Sequence, residues 1–373
     1  MTASVAKGKQ DFLFHEVYLL SGMQEDDYFK GRGAQIKSEN KFLKSQYVTE
    51  HVEGLDEALL SSPTTQIFYE HPKTIVNKVR SPDLGMMYSL NPYQGCEHGC
   101  IYCYARNTHE YYGFSAGLDF ESKIMVKKNA PALLEKFLLR PDWQPVPISV
   151  SGNTDCYQPQ ERKLEITHGL LRIFAQYRHP VGMITKNSLI LRDLDLLTDL
   201  AKDNLVHVYI SITTLDENLR RVMEPRTASA LKRLQTVEAL SKAGVPVGIM
   251  NAPIIPGLND AEIPKVLKAA ADHGAFNAGM TIVRLNGSIG SIFEDWLRKN
   301  FPDRFDKVWN QICSMHGGNV NDSQFGRRMS GEGNFAEAIH QLFRTSKRKY
   351  FAGRSMPPID VTKFRRGGNL SLF

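Results

Sequence analysis

Three cysteines fall within eight residues, Cys96, Cys100 and Cys103, in the stretch Tyr93-Gln94-Gly95-Cys96-Glu97-His98-Gly99-Cys100-Ile101-Tyr102-Cys103-Tyr104-Ala105-Arg106. Thiolates in a Cys-x3-Cys-x2-Cys array can wrap one compact soft-metal centre, and Gly95 and Gly99 let the backbone turn tightly between them. Iron–sulfur clusters are held by thiolates, usually four, so three leave one iron open to a substrate or cofactor. A structural zinc site is the alternative, and it needs a fourth ligand. His98, Cys156 or Cys313 could supply it, so spacing alone leaves zinc open. Zinc ribbons and fingers bring their ligands as two separated pairs, and the single run here favours the cluster.

The cysteine loop follows a short apolar run, Met86 to Leu90, that reads as a first strand. Further strands are expected at Ile148 to Ser151, Val181 to Thr185, Val206 to Ile212, Val247 to Ile249 and Thr281 to Val283. Helical periodicity separates them: Pro131 to Leu139, Thr167 to Tyr177, Leu189 to Ala201, Ala230 to Ala243 (closed by Gly244) and Ala261 to His273. Strands alternating with helices imply a parallel sheet with right-handed crossovers. No Gly-x-Gly-x-x-Gly follows the first strand, so a dinucleotide-binding fold has nothing to rest on. The expected class is therefore α/β, a partial (β/α)6 TIM-like barrel whose chemistry sits in loops at the C-terminal strand ends. Residues 1–80 read as an N-terminal extension wrapping the core, 81–290 as the barrel, and 291–373 as a helical, basic C-terminal segment with Cys313 in a helical stretch from Phe305 to Met315.

Of 373 residues, 42% are hydrophobic and 23% charged, which excludes a disordered or collagen-like chain. Five cysteines, three of them crowded together, fit a reducing compartment better than a disulfide scaffold. With no apolar run of ~18 residues and no signal-peptide core at the start, a cytoplasmic protein without a membrane span is expected. The formal charge of +6 is uneven: from Gln324 to Phe373, ten Lys/Arg stand against three Asp/Glu, a net +7, which leaves −1 for the rest. Such a segment is either a solvated end or a footprint for nucleic acid.

Polar residues gather after the other strands. Asn153, Thr154 and Asp155 form a dense loop that either binds a ligand or makes an Asx-type cap. Lys186 ends Ile184-Thr185-Lys186, and Ser211 puts a small hydroxyl into a strand. Arg226 could fork a carboxylate or pair with Glu224. Gly257 offers close backbone approach or a turn. Cys156 is a hydrogen donor, a reactive thiol or a small buried residue, and Tyr157 is its neighbour as a catalytic candidate.

Cys-x3-Cys-x-aromatic-Cys after the first strand of an alternating β/α chain resembles the radical S-adenosylmethionine (SAM) superfamily. Asn91 to Asp119 is similar, more narrowly, to the DNA-repair-photolyase-like relatives of spore photoproduct lyase. So are Asn153-Thr154-Asp155-x-Tyr157-Gln158-Pro159, Ala252 to Asp260 and Phe325-Gly326-Arg327-Arg328-Met329. The likeness spans roughly residues 30 to 350. It implies a 4Fe-4S cluster on Cys96, Cys100 and Cys103, SAM chelated by the open iron, and cleavage of SAM to a 5′-deoxyadenosyl radical that abstracts hydrogen. It further implies Tyr102 beside the adenine, Asn153, Thr154 and Asp155 at the SAM amino group, Lys186 at its carboxylate, Ser211 at the ribose and Gly257 near the adenine. A reductant such as flavodoxin or ferredoxin is the implied partner, and nucleic acid or a nucleotide the implied substrate class. The pattern departs from spore photoproduct lyase at Gly152 and Asn153, where that enzyme's cysteine hydrogen donor would stand, so the likeness does not carry thymine-dimer splitting with it.

Overall fold

In the computed structural model, residues 28–42 and 64–367 are described. Short runs of β-branched and aromatic residues make ten strands: β1 (Gln66–Tyr69), β2 (Val76–Lys78), β3 (Tyr88–Leu90), β4 (Tyr93–Gln94), β5 (Lys123–Val126), β6 (Ile148–Val150), β7 (Val181–Thr185), β8 (Val206–Ser211), β9 (Val247–Ile254) and β10 (Asn277–Ile282). The main sheet has the order β10-β9-β8-β7-β6-β3-β2, and its six strands from β3 to β10 run parallel in sequence order. This is the expected α/β partial barrel with six parallel strands. β9 runs on past Ile249 because Asn251 is accommodated, its side-chain amide donating to the Ile212 carbonyl at 2.9 Å.

Helices fill the connections and bury one apolar stripe each against the sheet: Leu134 and Leu138, then Leu170, Leu171 and Phe174, then Leu197 and Leu200, then Val237 and Leu240. Each such side chain contributes about 1.5–3 kcal/mol by leaving water. Ser229 caps Ala230–Lys242 by accepting from Lys232 N–H, and Gly244, at φ +78°, ends it.

Two parts exceed the sequence reading. Residues before 80 contribute more than a wrap: β2 pairs antiparallel with β3, while β1, β5 and β4 form a separate small sheet. The C-terminal segment is packed. Helix Gly333–Tyr350 buries Ala336, Ile339 and Phe343 against helix Ile263–Asp272. The chain then crosses the N-terminal strand ends. The Pro357 carbonyl lies 2.8 Å from His207 Nε2, Asp360 N–H donates to Asn204, and Arg365 N–H donates to Tyr177.

The barrel stays open between β10 and β2, the outer strands of the sheet. Residues 324–329 cross that seam. The Met329 carbonyl accepts from Ile282 N–H at 3.0 Å, while Gly326 N–H donates to Asp83 and Arg328 donates to both Asp83 and Ser81.

Candidate active site

The cysteine loop is held by its own backbone and by one buried ion pair. Gly95 and Gly99 take φ +80° and +68°, and a Cβ on Gly99 would lie 2.7 Å from Glu121 Oε2. Arg106, fully buried, donates from Nε to the Cys100 carbonyl at 2.9 Å and from Nη2 to Glu121 at 2.5 Å. Glu121 also accepts from Gly33 N–H at 3.0 Å and Ala34 N–H at 2.8 Å, which ties the N-terminal segment to the loop.

Beside the loop lies a cavity of about 400 Å³, within the ordinary range of small-molecule sites. The structure brings Cys96, Cys100, Cys103 and Tyr102 to it from the loop, Asn153, Thr154 and Asp155 from the β6 end, Lys186 from β7 and Ser211 from β8. All lie at C-terminal strand ends, as a parallel barrel requires.

The local bonding separates residues that serve the protein from those that face the cavity. Asp155 accepts from Thr185 Oγ1 at 2.7 Å, Tyr157 N–H at 2.9 Å and Lys186 N–H at 2.8 Å, and its Oδ2 lies 3.2 Å from His98 Nδ1. Burial alone would raise its pKa, but His98 and these donors overturn that and hold it at about 2. Three protein hydrogen bonds and the facing His98 ring engage both oxygens of this carboxylate, so the geometry makes Asp155 a positioning residue. Asn153 similarly directs its amide to Gln94 and Thr108, and the Thr154 hydroxyl donates to the Tyr93 carbonyl. Lys186 differs. Its Nζ donates at 3.0 Å to Ser211 Oγ and, among the described residues, has no carboxylate within ion-pairing distance. Burial works to lower its pKa, yet Cys100 and Glu224 leave it raised, so it stays a cation.

Behind the cavity, the Tyr102 hydroxyl donates to Glu224, which also accepts from Thr213 Oγ1 at 2.6 Å and pairs with Arg233 at 2.5 Å. Burial of Glu224 would raise its pKa, and Arg233 and Lys186 instead hold it at about 2. Sequence reasoning had Glu224 only as a partner for Arg226 and missed Arg233, which lies in the first turn of the Ala230–Lys242 helix with no local signal.

Four candidates are not brought to the cavity. Cys156 and Tyr157 are fully buried in the main core, the Tyr157 hydroxyl donating to Asp193 at 2.9 Å. Ser151, at φ +75°, reverses the chain after β6, so counting residues past the strand does not tell which way these side chains face. Arg226 donates to the Gly31 carbonyl at 3.0 Å and lies 3.6 Å from Glu97, joining the N-terminal segment to the loop. Gly257, at φ +76°, makes the turn after β9, its N–H donating to Asp260.

The donor set suits a thiolate cluster. Burial, the largest effect on each, pushes all three thiols up, most strongly at Cys96 and Cys100, so thiolates there need positive iron beside them. A zinc site would need several ligands converging on one ion. Among the described residues, no three His, Cys, Asp or Glu converge on a single ion, Cys96, Cys100 and Cys103 included, whereas a cluster takes each thiolate on a different iron. His98 faces Asp155 and Asn187, while Cys156 and Cys313 lie away from the cavity.

Comparison with known proteins agrees with this geometry. The model of the Radical SAM superfamily matches residues 90–270. An uncharacterized protein of Mycobacterium tuberculosis is 34% identical over 234 residues, covering 62% of this chain and 69% of the relative. One from Methanocaldococcus jannaschii is 28% identical over 241 residues, covering 65% and 86%. Among solved structures, spore photoproduct lyase complexed with dinucleoside spore photoproduct superposes with a TM-score of 0.55 at 16% identity, over 77% of this chain and 80% of that one. The chain belongs to the radical SAM superfamily. It is an enzyme of that class, which implies an iron–sulfur cluster and bound S-adenosylmethionine. Among the described residues, no helix is long and apolar enough to cross a membrane.

Proposed function

We propose that the protein is a radical SAM enzyme in which Cys96, Cys100 and Cys103 hold a 4Fe-4S cluster and SAM occupies the adjoining cavity. The observation that carries this is the opening of three thiols, two buried and one half-buried, onto the same cavity as Lys186, a cation with no carboxylate partner among the described residues. When bound, the cluster would supply the electron that cleaves SAM to a 5′-deoxyadenosyl radical able to take hydrogen from a substrate. The chain's own residues bind, orient and exclude water. Lys186 receives the SAM carboxylate, and Ser211 holds the Lys186 Nζ in place. Tyr102, fixed by Glu224, contributes a rigid wall, and the Asp155 loop keeps the strand ends in register.

Anaerobic reconstitution with iron and sulfide tests the reading. The protein should turn brown, bind about four irons per chain if the cluster is of the 4Fe-4S type, and release 5′-deoxyadenosine from SAM under a low-potential reductant. A colourless protein holding one zinc would refute it. A second check is Lys186→Gln. A charge-assisted hydrogen bond of about 1.5–3 kcal/mol translates into SAM affinity lowered roughly 10- to 150-fold, with the cluster absorption retained. Unchanged affinity would remove Lys186 from the SAM site.

The substrate belongs to the same proposal. A nucleotide or nucleic acid is favoured by the likeness to an enzyme complexed with a dinucleoside. The cellular reductant is proposed to be a flavodoxin or ferredoxin. Exposed basic residues of the C-terminal segment, Arg344, Arg348 and Lys349, are proposed as a secondary nucleic-acid contact. Cys156, buried away from the cavity, supports a reaction that ends without a thiol hydrogen donor from that loop.

A further inference from the structure

Two arginines line the cavity at the open seam of the barrel, Arg284 just past β10 and Arg328 on the crossing segment. Arg284 is half-buried and makes no hydrogen bond or ion pair with any described residue. Its guanidinium feels burial first and then the like charge of Arg328, both of which disfavour the cation. The acids acting on it are engaged elsewhere: Asp83 accepts from Arg328 and Gly326 N–H, and Asp322 from Arg327 and Gln324 N–H. Arg328 is held rigidly. Besides Asp83 it donates to Ser81 Oγ at 2.6 Å, and its guanidinium lies 4.3 Å from the Phe325 ring centre. Nη1 makes no bond to any described residue.

Two guanidinium groups sharing one partly dehydrated space, with their nearby acids already committed, are costly unless an anion joins them. The planar donor fork of arginine matches the oxygens of phosphate and carboxylate. We infer that Arg284 and Arg328 form an oxyanion-binding subsite that positions a phosphate or carboxylate of the substrate in this cavity. This rests on reading the cavity as the radical SAM active site, and it assigns the seam as a place where substrate charge is read inside the cavity.

The test uses the reconstituted holoenzyme with SAM bound, titrated with inorganic phosphate and, separately, with acetate at constant ionic strength. At least one oxyanion should bind saturably to the wild type, and Arg284→Gln should weaken that binding about tenfold or more, with Arg284→Lys intermediate. Cluster absorption and SAM affinity should match the wild type in both variants, since Arg284 bonds to no other described residue. Preference for phosphate assigns a phosphoryl group, and preference for acetate a carboxylate. No saturable binding in the wild type, or equal binding in Arg284→Gln, overturns the subsite. A fall in SAM affinity in the variant would give Arg284 to the cofactor and also overturn it. Failure of the wild type to assemble a cluster or bind SAM would strike the proposed function instead.

Discussion

Alanine at Cys96, Cys100 or Cys103 is expected to abolish reductive cleavage of SAM, lowering 5′-deoxyadenosine formation by at least about a thousandfold, or ~4 kcal/mol of barrier. The size follows from the ligand count. Three protein thiolates are already one fewer than a cluster normally takes, and no other described cysteine lines the cavity to substitute. His98 does not replace them, because its ring nitrogens face Asp155 and Asn187. The fold should survive. Removing one buried sulfur from a loop stitched by Arg106, Glu121 and the backbone costs on the order of 1 kcal/mol, so circular dichroism and the unfolding midpoint serve as controls. Iron content and 5′-deoxyadenosine are then measured on the same samples. Full activity in any of the three would remove that residue from the ligand set, and full activity in all three would end the cluster reading.

The cysteine site was legible in the sequence because its information is local. Three thiols and two glycines within nine residues specify both donors and turns. Five of the six barrel strands were legible for a related reason, since β-branched runs flanked by turns keep their period; the last, expected at Thr281 to Val283, lies at Asn277–Ile282, where Asn-Ala-Gly-Met carries no such run. Lys186 and Ser211 were readable once β7 and β8 were located, because a polar residue ending a parallel strand points to the cavity end of a barrel. Cys156 and Tyr157 were not. They follow a reversal at Ser151, where the strand's alternation no longer tells inside from outside. Arg226 and Gly257 carry residue types that serve ion pairs and turns as readily as ligands, and here they serve those. The pairing of Glu224 with Tyr102 joins positions 122 apart. Charge counting says nothing of packing at the C-terminus: the +7 tally does not register the apolar stripe Ala336, Ile339 and Phe343 that folds this segment onto the barrel.

The second large effect concerns the support of that loop. Glu121→Ala is expected to destabilise the protein by about 3–5 kcal/mol, the usual cost of leaving one member of a buried ion pair without its partner. Arg106 is fully buried and, among the described residues, pairs with no carboxylate but Glu121; its other bonds go to the carbonyls of Cys100, Ala116 and Gly117. Losing Glu121 also strips the acceptor from Gly33 and Ala34 N–H, which loosens the N-terminal segment's hold on the cysteine loop. Urea unfolding of the metal-free protein measures the stability, and iron retention after gel filtration reads the loop. The double variant Arg106→Met with Glu121→Leu separates the charge from the position. Replacing both partners with apolar groups removes the uncompensated cation, and most of the lost stability should return. Recovery should stay incomplete, because Gly33 and Ala34 N–H remain without their acceptor at roughly 1–3 kcal/mol for each one left buried and unpaired. A single Glu121→Ala cost below about 1 kcal/mol, the range of an exposed pair, would mean that the ion pair does not hold the loop, and the backbone turns at Gly95 and Gly99 would have to hold it alone.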